Sequence, residues 1–197
     1  SAPDTVYEGI FLLPPGHLID IDLEALGEGR FTESREYWDA PFTGDDDRPL
    51  DAIEDEVAGL LEDAVRISMV SDVPLGAFLS GGIDSTSVVA MMAKAATAPV
   101  RTFTVDVPGS VQSEKEKAAA VARELATAHT EIDARAGHVE DYWRCAGHFD
   151  VPFNCPSLLN AWLVSRAARQ HVTVALSGDG GDETFGGYAR YLGSVRR

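Results

Sequence analysis

The chain has 197 residues, 45% of them apolar, and its 16 basic and 32 acidic side chains give a formal net charge of −16. It can bury a sizeable core, as one domain with a leader or as two small domains. The lack of a basic patch argues against a nucleic-acid partner. No apolar stretch approaches the ~20 residues of a membrane span, and no signal peptide is recognisable. We therefore expect a cytoplasmic protein that does not bind membranes.

The first 48 residues carry few helical features. Residues 10–13 and 17–21 look like two short strands around the turn signal Pro14-Pro15-Gly16, which together form a β-hairpin. Gly44-Asp45-Asp46-Asp47 has the composition of an exposed linker. We interpret residues 1–48 as a leader segment beside the main domain.

From residue 49 onward, helical and strand-like segments alternate. Asp51 and Glu54 resemble a capping box at the start of the first helix. Apolar spacing predicts further helices at residues 84–96, 114–128, 139–148 and 158–170. Short apolar or β-prone runs predict strands at residues 75–79, 102–107, 131–133 and 172–176. The alternation predicts an α/β fold, namely a doubly wound parallel sheet with helices on both faces.

The segment Ser80-Gly81-Gly82-Ile83-Asp84-Ser85 follows a predicted strand and opens a predicted helix. Its glycines allow a ligand to approach the backbone, and the free N–H groups of the first helical turn favour an anion. Ser80 and Ser85 can add hydroxyl donors. Asp84 would repel a phosphate unless a divalent cation lies between them. The simpler alternative is a tight turn in which Asp84 caps the helix.

A second glycine-rich segment, Ser177-Gly178-Asp179-Gly180-Gly181-Asp182-Glu183, follows another predicted buried strand. Strand ends this rich in glycine usually approach a ligand closely. Asp182 can share a cation with Asp84, and Asp179 can accept a proton from an attacking amine. The alternative is a solvated acidic turn.

With both segments present, the chain resembles the synthetase domain of the asparagine synthetase family, which belongs to the ATP pyrophosphatase (PP-loop) superfamily. The first segment matches the superfamily pattern S-G-G-x-D-S. The second matches S-G-E/D-G-x-D-E followed by F-G-G-Y, which ends here at Tyr188. Weaker matches are Leu13-Pro14-Pro15-Gly16-His17, Tyr37-Trp38, Val73-Pro74, Phe103-Thr104-Val105 and Ala128-His129-Thr130-Glu131.

The resemblance implies an adenine nucleotide α-hydrolase-like fold and a two-step reaction with ATP and Mg²⁺. A carboxylate attacks the α-phosphate of ATP to give an acyl-adenylate and pyrophosphate, and ammonia or an amine then attacks the acyl carbon. Carried over by position, Ser80, Gly81, Gly82, Asp84 and Ser85 would hold the pyrophosphate. Asp84 and Asp182 would bind Mg²⁺. Leu79, Val105, Ser177 and Gly178 would contact adenosine. Asp179 would be catalytic, at a position where glutamine-dependent members usually carry Glu.

The resemblance also implies partners. Residues 1–48 would be the tail of a glutaminase domain in cis, with its linker, and residues 49–197 the N-terminal part of a synthetase domain truncated at its C-terminus. The family's catalytic lysine would lie beyond Arg197, so we expect residues 1–197 alone to be inactive and to bind ATP weakly. Aspartate or an analogue would be the carboxylate substrate, and glutamine the nitrogen donor. The sequence allows a homodimer.

Two other functional classes stay open from the sequence. One is another PP-loop enzyme that modifies tRNA or nucleotides, and the other is a non-catalytic nucleotide-binding domain. We interpret Tyr188 and Tyr191 as core residues rather than pocket wall, and His129 as a packing or capping histidine. Cys145 and Cys155 are interpreted as buried, reduced thiols.

Overall fold

The computed structural model describes residues 3–28, 33–41, 44, 47–106, 114–133, 139–150 and 157–191. The chain divides into two compact units, Ser1–Asp47 with Phe149–Asn154 and Arg48–His148 with Cys155–Arg197. The interpretation of residues 1–48 as a glutaminase tail and of residues 49–197 as a synthetase domain stays a prediction.

The first unit contains a short antiparallel sheet and one short helix. Its elements are β1 (His17–Leu18), α1 (Leu23–Gly27) and β2 (Arg35–Glu36). β1 pairs with β2, with His17 opposite Glu36. The helix begins after Asp22, whose carboxylate accepts hydrogen bonds from the first-turn N–H groups of Glu24 and Ala25.

The predicted antiparallel N-terminal sheet is present, but its strands are not the predicted pair. Residues 10–13 do not form a strand, and Phe11 makes only an isolated bridge with Asp4. The strand that pairs with β1 follows it in sequence instead of preceding it.

The second unit alternates helices and strands as the sequence predicts. Its elements in chain order are α2 (Leu50–Ser68), β3 (Leu75–Phe78), α3 (Ile83–Ala95), β4 (Arg101–Asp106), α4 (Lys115–Glu124), β5 (Ala128–Asp133), α5 (Val139–Ala146), α6 (Leu158–Ala168), β6 (Val174–Leu176) and α7 (Gly181–Phe185).

One local prediction is wrong at the start of this unit. The residue before α2 is Pro49, which makes no side-chain capping hydrogen bond. The capping box expected from Asp51 and Glu54 is therefore not formed. Within the described part of the chain, the Asp51 carboxylate accepts only from the neighbouring Ala52 N–H, at 2.9 Å. Proline in this place costs the helix nothing, because the first N–H groups of a helix have no intrahelical acceptor.

The strands form a four-stranded sheet in the order β5-β4-β3-β6, with every pair parallel. From β3 the chain moves outward in one direction to β4 and β5, and then returns to the other side of β3 with β6. The strand order therefore reverses between β3 and β6. In open parallel sheets, ligands bind at the carboxyl ends of the strands at such a switch point.

Helices cover both faces of this sheet, which confirms the predicted doubly wound fold. On one face, side chains of α2, α3 and α4 pack over β3, and the buried members are Val65, Ala77, Leu79, Val89, Met92, Val100, Ala118 and Ala122. On the other face, Ala168 of α6 packs with Phe103 and Val172, and α5 packs against α6. Successive residues of β3 serve opposite faces, as the pleat of a strand requires.

Two smaller expectations concern cysteine and membranes. Cys145 on α5 is buried and its thiol is free, as expected, whereas Cys155 lies outside the described residues. Among the described helices, none has the length and the apolar content that crossing a membrane requires.

Candidate functional site at the switch point

The loop between β3 and α3 is held by its own serine hydroxyls. Gly81 adopts φ +76°, a conformation that favours glycine, and Gly82 precedes α3 without a side-chain cap. The Ser80 and Ser85 hydroxyl oxygens lie 2.9 Å apart. The Ser80 N–H donates to Ser85 Oγ, and the Gly82 N–H donates to Ser80 Oγ, both at 3.2 Å. The hydroxyls expected to serve as ligand donors are thus already used within the loop.

Asp84 is not the cap of α3. The residue before this helix is Gly82, and Asp84 lies in the first turn, where N–H groups without intrahelical acceptors create a positive local field. The simpler sequence alternative, an ordinary capped turn, is therefore wrong in its detail.

The second loop, between β6 and α7, is organised around Asp179. The Ser177 hydroxyl donates to Asp179 Oδ2 at 3.0 Å, and the Asp179 N–H donates back to Ser177 Oγ at 3.4 Å. Gly180 then adopts φ +94° as the chain turns into α7. This pair of hydrogen bonds orients an exposed carboxylate at the end of the strand.

The two loops meet because β3 and β6 are neighbours in register, with Ala77 opposite Leu176. Two glycines of the second loop, Gly178 and Gly181, make the contact with the first loop. A methyl group on Gly178 would lie 2.7 Å from the Ser85 backbone nitrogen, and one on Gly181 would lie 2.6 Å from Asp84 Oδ2. No side chain fits at either position without movement, so the second loop packs its bare backbone against the first.

Together the loops line a cavity of about 530 Å³, a size typical of small-molecule sites. The cavity wall consists of Phe78, Ser80, Asp84, Ser85, Ala161, Val164, Ser177, Gly178, Asp179, Gly180, Asp182, Glu183 and Tyr188. Most of the predicted site residues therefore come together. Among the described residues, no lysine or arginine belongs to this wall.

Four predicted site residues are not on the wall. Gly81 and Gly82 belong to the first loop but are not among the residues that line the cavity. Leu79 is 1% exposed and packs in the core, and its N–H donates to the Phe103 carbonyl at 2.8 Å, so only its carbonyl is left for a ligand. Val105 is half-buried near the end of β4, the neighbour of β3 on the side away from β6.

The carboxyl groups of Asp84 and Asp182 are half-buried on the same wall. Within the described residues neither carboxylate accepts a hydrogen bond or forms an ion pair, and no cluster of three or more His, Cys, Asp or Glu that could hold a metal is found. Two otherwise unengaged carboxylates fit Mg²⁺, which usually takes one or two carboxylates together with water and substrate phosphates.

Tyr188 also lines the cavity, although the sequence favours a core position for it. Its hydroxyl donates to Glu183 Oε1 at 2.6 Å. This hydrogen bond raises the pKa of Tyr188 to about 12 and lowers the pKa of Glu183. The guanidinium of Arg190 lies 4.3 Å from the centre of the Tyr188 ring, so the tyrosine is held at both its hydroxyl and its face.

The sequence profile of the asparagine synthase family matches residues 56–197, a stretch that contains both loops. The chain belongs to the asparagine synthase family. The resemblance inferred from the two motifs is thereby confirmed.

Relatives in this family align along much of the chain. One from Mycobacterium bovis is 35% identical over 192 residues, covering 96% of this chain and 29% of that protein. Asparagine synthetase (glutamine-hydrolyzing) 1 of Bacillus subtilis (strain 168) is 37% identical over 149 residues, covering 73% of this chain and 23% of that protein. The chain thus spans less than a third of the length of these two relatives.

Among solved structures, an NH3-dependent NAD synthetase from Campylobacter jejuni aligns with a TM-score of 0.48 and 17% sequence identity. The alignment covers 68% of this chain and 60% of that one. This likeness is too distant to bear on function.

Proposed function

We propose that this asparagine synthase family chain supplies the ATP site of an amide-forming ligase that activates a carboxylate as an acyl-adenylate. The meeting of the two loops at the β3–β6 switch point is the observation that carries the proposal. A triphosphate on that cavity would lie between backbone N–H groups of the first loop and the carboxylates of Asp84 and Asp182.

The first loop would bind the pyrophosphate portion of ATP. Its serine hydroxyls and the Gly82 N–H are already used within the loop, so the contacts fall to the N–H groups of Gly81 and the first turn of α3, where the helix dipole favours an anion. Asp84 and Asp182 would hold Mg²⁺, and the ion would supply positive charge to offset that of the departing pyrophosphate. The same two carboxylates would otherwise repel the nucleotide.

Adenosine would be bound largely through backbone groups. The Leu79 carbonyl, whose own N–H is committed to β4, can accept a hydrogen bond from the adenine amino group. Val105, Ser177 and Gly178 would complete this part of the site. The Ser177 hydroxyl already donates to Asp179, so its contribution to the nucleotide falls to its backbone.

Asp179 would accept the proton of the attacking nitrogen in the second step. It is exposed on the cavity wall, and the Ser177 hydroxyl orients one carboxylate oxygen. A carboxylate base must lie within hydrogen-bond reach of the proton that it removes. An aspartate reaches one methylene less far than a glutamate, so the acyl-adenylate would lie close to the second loop.

Aspartate would be the carboxylate substrate and glutamine the nitrogen donor, with ammonia supplied by a glutaminase domain in cis. The name of the B. subtilis relative, an asparagine synthetase (glutamine-hydrolyzing), supports this choice. The overall reaction would give asparagine, AMP and pyrophosphate.

ATP–pyrophosphate exchange by the whole protein tests this proposal, with a panel of carboxylates that includes aspartate, glutamate and β-alanine derivatives. We expect exchange that requires both Mg²⁺ and aspartate. Exchange that requires RNA would favour a tRNA-modifying enzyme, and absence of exchange with every carboxylate would favour a non-catalytic nucleotide-binding domain. Either result would refute the proposed activity.

A further inference from the structure

The cavity at the switch point carries a strong negative charge of its own. Asp84, Asp179, Asp182 and Glu183 all lie on its wall, and the wall includes no lysine or arginine among the described residues. A pyrophosphate product carries several negative charges, and Mg²⁺ contributes only two positive ones. A cation from outside the wall would improve this balance, since unit charges a few ångströms apart interact appreciably even near a surface.

One lysine outside the cavity wall lies against the first loop. A methyl group on Gly81 would lie 2.6 Å from Lys117 Cβ and 2.7 Å from the Ala118 backbone nitrogen. The first turn of α4 therefore packs directly on the loop that we assign to pyrophosphate. The lysine side chain spans roughly 5 Å from Cβ to its ammonium group, enough to reach a group bound at the Gly81 N–H.

The Lys117 ammonium group can bind an anion, whereas that of Lys115 in the same turn is already paired. Lys115 Nζ lies 2.9 Å from Glu131 Oε2 and 3.8 Å from Asp106 Oδ2, so two carboxylates on β4 and β5 balance its charge. Lys117 is exposed and makes no hydrogen bond or ion pair with the described residues. Its neighbour Glu116 projects about 100° away around the helix.

We propose that Lys117 is a further pyrophosphate-binding residue, whose ammonium group contacts the phosphates held by the Ser80–Ser85 loop. The inference rests on the proposed function of that loop. Lys117 would help to retain the departing pyrophosphate during adenylate formation, without contacting adenosine or the carboxylate substrate. Its role is to bind the product, not to transfer a proton.

The test measures inorganic pyrophosphate binding by calorimetry, and the KM for pyrophosphate in exchange, using the whole protein. We expect Lys117→Met, which keeps the apolar stem, to weaken pyrophosphate binding about tenfold, the loss of one charge-assisted contact. Lys117→Arg should restore most of it, and AMP binding should not change in either variant. The wild-type affinity should also fall more steeply with salt than that of Lys117→Met.

Lys94→Met is the matched control, because Lys94 pairs with Glu62 and lies at the far end of α3. It should leave pyrophosphate affinity unchanged. Wild-type binding with no loss in Lys117→Met would overturn the role of Lys117 while leaving the proposed function intact. No pyrophosphate binding by the wild type would instead refute the assignment of the loop, and the lysine's role with it.

Discussion

Gly181 of the second loop lies directly against the Asp84 carboxylate of the first, so closely that a methyl group on Gly181 would stand 2.6 Å from Asp84 Oδ2. This contact restricts the position of one proposed metal ligand through the backbone of the neighbouring loop. The Asp84 side chain is therefore held in place by the backbone of the second loop.

Asp84→Asn and Asp182→Asn should each reduce Mg²⁺-dependent ATP–pyrophosphate exchange by roughly 100-fold or more, the scale expected when a metal site is lost. Both changes keep the size of the side chain, so thermal unfolding should move little. Asp72→Asn is the control, because Asp72 is exposed just before β3, at the other end of the strand. Unchanged rate and Mg²⁺ dependence in Asp84→Asn would contradict the assignment.

Gly178→Ala should destabilise the second unit by about 1–3 kcal/mol, as overpacking usually does, because its methyl group would meet the Ser85 backbone nitrogen. Gly59→Ala is the opposite case. Gly59 lies in α2 with open space around it, so alanine should stabilise by about 0.5–1 kcal/mol through helix propensity. Urea unfolding measures both, and equal effects of the two changes would show that the close approach of the loops is absent.

Ser85→Ala should raise the KM for ATP and cost about 1 kcal/mol of stability, because the half-buried Ser80 N–H would lose its acceptor. Ser87→Ala is the control variant, because Ser87 lies on the same helix, α3, two residues after Ser85. Ser87 makes no hydrogen bond with the described residues, so its loss should be near neutral. Exchange kinetics and urea unfolding of the two variants would separate loop bracing from a direct phosphate contact, which would change KM without changing stability.

Stability should fall at acidic pH because of His129 on β5. Burial lowers the pKa of His129 below its ordinary value of 6.5, partly offset by the Glu131 carboxylate. Its Nδ1 lies 2.9 Å from Thr102 Oγ1, and its Nε2 is buried without a partner among the described residues. The native state therefore disfavours the proton, whereas the unfolded chain binds it as the pH falls below about 6.5.

The free energy of unfolding should accordingly decrease as the pH falls from 6.5 to the lower native pKa, and then lose no more from this residue. His129→Asn, which can still bond to Thr102, should flatten that decrease. His148→Asn, at an exposed position after α5, should retain it. Urea midpoints across this range give the slopes, and an unchanged slope in His129→Asn would exclude this histidine as the source.

The strand and helix alternation was predictable because buried parallel strands and amphipathic helices leave clear apolar patterns. The end of α4 was not. The helix stops at Glu124 and the chain turns at Ala126, which adopts φ 50°. Glycine normally occupies such a position, and an alanine gives no stop signal. The sequence therefore predicts a helix that runs to residue 128, and a β5 that begins only at residue 131.

The loops of the site were predictable from local glycine and acidic patterns, but their partners were not. Phe78 and Val164 line the cavity from β3 and α6, and nothing distinguishes them in sequence from other apolar core residues. Tyr188 was placed in the core because tyrosine is amphipathic, whereas its hydrogen bond to Glu183 depends on how α7 ends. In the first unit, β1 and β2 have two residues each, which is too short to show the alternation of apolar and polar residues by which a strand is predicted.

Ser80 and Ser177 are 97 residues apart in the chain, yet they adjoin because β6 enters the sheet beside its first strand. During synthesis on the ribosome, β3, β4 and β5 emerge well before β6 does. Until β6 docks, half of the cavity does not exist. Under the proposed function, ATP would therefore assist only a late stage of folding, after residue 177 has emerged.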